Sequence, residues 1–150
     1  MKPRDWAALG ARLIVGATLV YAGTAKLAVA PEEFANVIVS YGLVGPDLAL
    51  PLAGLLPWVE VAVGWALAAG FLGRAAAGAA AAMYAMFLFA LGHALALGIP
   101  LPNCGCFGDS VHLSPAHAML FDSLSAALCA LVWRLGSGAL SLDGWAERGA

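Results

Sequence analysis

Charge is scarce in this 150-residue chain: Asp, Glu, Lys and Arg make up 11% of it, where a soluble domain carries about 25%. The few charges nearly cancel, to a net −2. No basic patch exists, which argues against a nucleic-acid partner held through its phosphates. Period-2 alternation of apolar and polar residues is also missing, and Ala, Leu and Gly are abundant, so strands are not expected. What fills the space instead is hydrocarbon. Hydrophobic residues account for 63% of the chain, and a domain this small exposes too much surface to hide such an excess in a core. Lipid is the simplest solvent for it.

The apolar stretches divide the chain. Residues 13–25 carry no charge, and apolar character reaches back to Trp6 and forward to Ala30, with Arg12 and Lys26 inside those limits. Residues 48–72 hold one charge, Glu60; residues 75–99 hold no Asp, Glu, Lys or Arg; residues 115–135 contain Asp122 and Arg134. Crossing the hydrocarbon core takes about 20 apolar residues as a helix. Within lipid each backbone group must find its partner in its own segment, so these runs become helices. The expected architecture is all-α: an integral membrane four-helix bundle in a single domain over residues 1–150, with spans near 6–28, 48–72, 75–98 and 115–135. Between the first two spans, residues 31–41 read as a short amphipathic helix at the outer interface. Pro31 suits its first turn, Glu32 and Glu33 its positive end, and Phe34, Val37, Ile38 and Tyr41 share a face.

Lys and Arg in short loops set orientation. Lys2, Arg4 and Arg12 lie at the start, Arg74 between spans two and three, and Arg134 and Arg148 at the end. The other side combines Lys26 with Glu32, Glu33, Asp47 and Asp109. This bias predicts a multi-pass protein of the plasma or inner membrane with both termini cytoplasmic and the two longer loops outside. A cleaved signal peptide is the competing reading of the first apolar stretch; it would leave the other spans oriented as before.

Ionisable residues inside spans are costly, and Glu60 stands out. A carboxylate near a helix centre costs about 2.5–3.5 kcal/mol on insertion scales, so it must face protein or water. Pro57, one turn earlier, removes a backbone donor and bends the helix there. Counting about 1.5 Å per residue places Lys26 at the mouth of span one, His93 roughly 8 Å and Asp122 roughly 10 Å below the outer ends of their spans, and Glu60 roughly 14–18 Å below the start of its own. Lys26, Glu60, His93 and Asp122 are therefore candidates for a polar, proton-handling cavity in the outer half of the bundle, with Lys26–Glu60 or Lys26–Asp122 as ion pairs.

The loop before the last span reads Leu101-Pro102-Asn103-Cys104-Gly105-Cys106-Phe107-Gly108-Asp109. Two cysteines one residue apart close only a small ring, which forces poor disulfide geometry and makes the bond labile and oxidising. Cys104 and Cys106 are the candidate catalytic pair, with His112 and His117 downstream as groups that could stabilise a thiolate. Copper or zinc bound by these cysteines and histidines is a weaker reading, because the spacing departs from the usual zinc pattern. An inert pair, or one bridged to another protein, is a further alternative. Cys129, in the middle of the last span, reads as packing.

Taken together, Arg12 and Gly16, Ala22-Gly23-x-x-Lys26-Leu27, Tyr41-Gly42-Leu43, Leu56-Pro57-Trp58-x-Glu60, Gly64, Gly70, Arg74 and Cys104-Gly-Cys106-Phe107-Gly108 resemble the MauE branch, named for methylamine utilisation, of the DoxX-like membrane proteins. The chain departs from that pattern at Phe121-Asp122, where a basic residue is expected beside the polar one. The resemblance implies a redox-associated four-helix membrane protein that serves processing or disulfide maturation of the methylamine dehydrogenase small subunit, or of other exported proteins. The expected role is thus a component of thiol–disulfide exchange, with an exported thioredoxin-like or disulfide-containing partner and the bilayer as its surroundings. No cofactor is specified, although a quinone in the outer cavity is a candidate electron acceptor. The rival readings are a non-enzymatic scaffold for a maturation partner and a copper- or zinc-handling membrane protein.

Overall fold

A computed structural model describes residues 3–100, 114–138 and 140–149, excluding the side chains of 147–149. Cys104, Cys106 and His112 lie outside the described residues. The architecture is all-α, as expected. Four long helices, α1 (Pro3–Leu27), α3 (Pro46–Ala69), α4 (Gly73–Ala96) and α5 (Pro115–Leu135), are joined by a short α2 (Pro31–Ser40) between the first two and followed by α6 (Leu142–Gly149). The long helices contain 25, 24, 24 and 21 residues, or about 31–38 Å at 1.5 Å per residue, enough to cross a 30 Å hydrocarbon layer.

The outward faces suit lipid. Leu55, Trp58, Trp65, Phe89 and Leu124 are largely exposed, a surface that water would penalise heavily. Hydroxyls on these helices bond back to their own backbone: Thr18 Oγ1 donates to Ile14 O at 2.9 Å, Thr24 to Val20 O at 2.8 Å and Ser123 to Met119 O at 2.7 Å. Such bonds hide a polar group without needing water. The chain is a multi-pass membrane protein.

Two antiparallel pairs build the bundle, α1 on α3 and α4 on α5, with α1 and α5 joining them. The α1–α3 contact is backbone against backbone. A Cβ added to Gly16 would stand 2.7 Å from Gly64 O, one on Gly64 2.8 Å from Gly16 O, and one on Gly23 2.7 Å from Pro57 O. Only hydrogen fits there, which is how membrane helices gain dispersion contact without a hydrophobic drive. The pairing also fixes register: with Gly23 beside Pro57, α1 runs out near the third turn of α3. The remaining start of α3 is covered by α2, whose Phe34 and Ala35 pack on Ala49 and Ala53. The end of α2 then meets the end of α4 and the start of α5, where Tyr41 and Met119 pack with Leu91 and Ala118. The opposite end of the bundle carries the start of α1, the α3–α4 turn and α6.

Candidate functional site

Register explains the best-formed polar contact in the membrane region. Because α1 ends beside Pro57 rather than level with the start of α3, Lys26 lies in the interior, 4% exposed, instead of at the mouth of its span. Counting residues along each helix from a common outer plane misses this, since α2 supplies the missing length. The Lys26 ammonium donates to both oxygens of Glu60, at 2.7 and 2.8 Å, with the two side chains 2% and 0% exposed. The rings of Phe34 and Phe87 each present a centroid 5.5 Å from Lys26 Nζ, adding cation–π attraction where water is absent. Of the two candidate pairings for Lys26, the geometry selects Glu60.

Tyr84 of α4 carries the polar interior toward α5. Its hydroxyl sits beside Ser125, outside strict hydrogen-bond geometry, and within electrostatic reach of Asp122 and Glu60. Asp122 and Ser125 are both buried. Three of the four cavity candidates, Lys26, Glu60 and Asp122, are thus buried, and Tyr84 is within electrostatic reach of both carboxylates. His93 does not join them: it is half-buried and stacks on the exposed Phe89 ring, centroids 6.3 Å apart. Cys129 is packed among Ala77, Ala80, Tyr84 and Val132, its thiol free. Among the described residues no three His, Cys, Asp or Glu side chains gather as metal ligands. His117 is exposed, with Nδ1 2.6 Å from Ser114 Oγ, the hydroxyl that caps α5.

Beside the ion pair, under α2, lies an apolar cavity of about 160 Å³. Its walls include Phe34, Ile38, Leu56, Phe87 and Leu91, and Lys26 is the charged residue among them.

A second polar centre, at the other end of the bundle, was not anticipated from the sequence. Arg12 is fully buried. Its Nη2 donates to Leu140 O at 2.6 Å, while Nε and Nη1 find no partner among the described residues. Its guanidinium fills the space beside Gly70, which has φ +68° and caps α3; an added Cβ there would overlap Arg12 Nη1. Asp143 completes the arrangement. Its carboxylate accepts from Leu72 N at 2.9 Å, Gly73 N at 2.8 Å and Ser137 Oγ at 2.6 Å, and its own N–H donates to Gly70 O. These bonds hold Leu72 at φ 48°, a strained conformation for a branched side chain. Partial burial alone would raise the Asp143 carboxyl, but the bonds from Gly73, Ser137 and Leu72, with the Arg12 charge, outweigh it and hold the group below the usual carboxylate range.

The fold and these contacts define a class: a helical multi-pass membrane protein with a buried Lys–Glu pair roofed by a short helix. The chain belongs to the MauE family, whose sequence model, described as methylamine utilisation protein MauE, matches residues 4–135. It is similar to the methylamine utilization protein MauE of Methylophilus methylotrophus, 36% identical over 99 residues. Those residues are 66% of this chain and 52% of the relative, so the match spans about half of the relative's length. No solved structure matches the chain.

Proposed function

We propose that this protein supports disulfide formation or maturation of an exported protein, with Cys104 and Cys106 as the exchanging pair. The observation that carries this reading is the family match over residues 4–135, a range that takes in both cysteines. Methylamine utilisation, for which the relative is named, is the proposed pathway, and the methylamine dehydrogenase small subunit is the proposed beneficiary in the namesake case. In the oxidising direction a thiolate of the exported or thioredoxin-like partner attacks the Cys104–Cys106 disulfide, and the partner's second thiol resolves the mixed disulfide, leaving the partner oxidised and the pair reduced. In the reverse direction one cysteine thiolate attacks a partner disulfide and the other resolves the mixed disulfide. The ends of α4 and α5 that flank the Cys-Gly-Cys segment lie on the side of the bundle toward which α1 carries Lys26, which favours a link between the pair and the polar interior. In this reading the protein sits in the plasma or inner membrane, with both termini cytoplasmic and the cysteines outside, where disulfides persist.

The test is trapping. Cys104→Ser should accumulate a mixed disulfide through Cys106 to an exported partner, seen as a reductant-sensitive band, and the double Cys→Ser variant should lose both the band and partner maturation. A double variant that still supports maturation would leave a scaffold role and end the redox reading.

A further inference from the structure

The cavity under α2 has a size, a wall and a doorway, and together they specify a ligand. An apolar cavity of about 150 Å³ accepts benzene in a protein core; this one is about 160 Å³, room for one six-membered ring. Its wall is hydrocarbon and aromatic apart from Lys26 and Tyr41. Leu52 and Met86, on the spans α3 and α4, line it and are exposed on the outward faces of those helices, so entry is from the bilayer. An ammonium has three donors, and Lys26 places two on Glu60. The pair is already neutral, so the cavity offers an anion no net charge, while the remaining donor suits an uncharged acceptor. Flanking rings of Phe34 and Phe87 suit a planar guest.

We propose that this cavity binds the ring of a membrane-soluble quinone, one carbonyl oxygen accepting from Lys26 and the tail leaving past Met86 into lipid. The inference rests on the proposed redox reading for its use alone: two electrons and two protons from the Cys104 and Cys106 thiols would reduce quinone to quinol and leave the disulfide. Binding itself requires neither cysteine.

The experiment is methyl-resolved NMR on the full chain, labelled at methionine and held in quinone-free lipid nanodiscs. A benzoquinone bearing a ten-carbon tail is titrated against decylbenzene, which has the ring and tail but no acceptor. Met86 lines the cavity, while Met83 and Met119 lie outside its wall and report whether each variant is folded. The quinone should shift the Met86 methyl saturably and bind at least about tenfold tighter than decylbenzene, the worth of a hydrogen bond to a charged donor. Ala90→Phe, which fills the cavity, should abolish the shift. Lys26→Met/Glu60→Met should remove the preference for the quinone. Equal binding of the two probes, an unmoved Met86, or unchanged binding in folded Ala90→Phe would overturn the proposal. Quinone binding that persists in Cys104→Ser/Cys106→Ser is expected, so failure of the redox reading leaves this site standing.

Discussion

Removing one partner of the Lys26–Glu60 pair should be among the most damaging single changes in this protein, and removing both should be nearly silent. The pair is bidentate at 2.7 and 2.8 Å and both side chains are essentially excluded from solvent. Lys26→Met leaves a carboxylate in the interior, and Glu60→Met leaves an ammonium facing two phenyl rings. Each stranded charge should cost about 3–5 kcal/mol, whereas replacing a buried pair with apolar groups of like volume is often neutral or stabilising. Methionine matches the length of the Glu60 side chain, is one atom shorter than that of Lys26, and adapts to irregular gaps. Reversible unfolding in mixed micelles, followed by tryptophan fluorescence, measures all three variants. The double variant should fall within about 1 kcal/mol of the parent, giving a coupling energy of several kcal/mol. Single costs below about 1 kcal/mol, or costs that add in the double variant, would refute the buried, mutually compensating pair.

Three further outcomes follow from other contacts. Gly64→Ala should destabilise by about 1–3 kcal/mol, the usual cost of overpacking, because its Cβ would stand 2.8 Å from Gly16 O; the same unfolding assay checks it, with exposed Gly54→Ala, which meets nothing within 4 Å, as the neutral control. Arg12→Leu removes the donor to Leu140 O and should expose the segment from residue 136 onward to protease while leaving the four long helices folded, a split visible by mass spectrometry of limited digests. Asp143 has a lowered carboxyl pKa, so its contribution is complete above the unfolded value of about 3.9 and is lost as pH falls through the lower folded value. Asp143→Asn should therefore lower stability at neutral pH by about 1 kcal/mol, the scale of a lost cap, and flatten the fall in stability below about pH 4.

The sequence showed its fold through length and charge: lipid requires long uninterrupted helices, and four apolar runs supplied them. The Lys26–Glu60 pairing was accessible by the same logic, since a carboxylate in the middle of a span needs a partner. Its depth was not, because Gly23 and Pro57 set a staggered register that counting along single helices cannot reveal. The placement of His93 was hidden for a related reason. It sits two residues from buried Leu91, about 200° around the helix, and that opposite face is visible only once Leu91 is known to be buried. Asp143 gave no signal, being one acid in a polar tail, and its value comes from the left-handed turn at Gly70 and Leu72, far off in sequence. Read on the structure, Gly16 with Gly64, Gly23 with Pro57, Lys26 with Glu60 and Arg12 with Gly70 turn out to be contacts rather than scattered signatures. The residues that carried the family resemblance are largely those that join α1 to α3.

If Cys104 and Cys106 exchange disulfides with a partner, their oxidation state in native membranes will show it. Membranes are quenched with acid, denatured, and labelled with a mass-tagged maleimide with or without prior reduction. Cys129, free in the bundle core, serves as the internal count of one. A pair that cycles through a disulfide gives a single tag without reductant and three tags after mild reduction, with the increase abolished in Cys104→Ser/Cys106→Ser. Three tags without reductant in actively respiring cells would show a pair that is not cycled through a disulfide, and would end the redox reading.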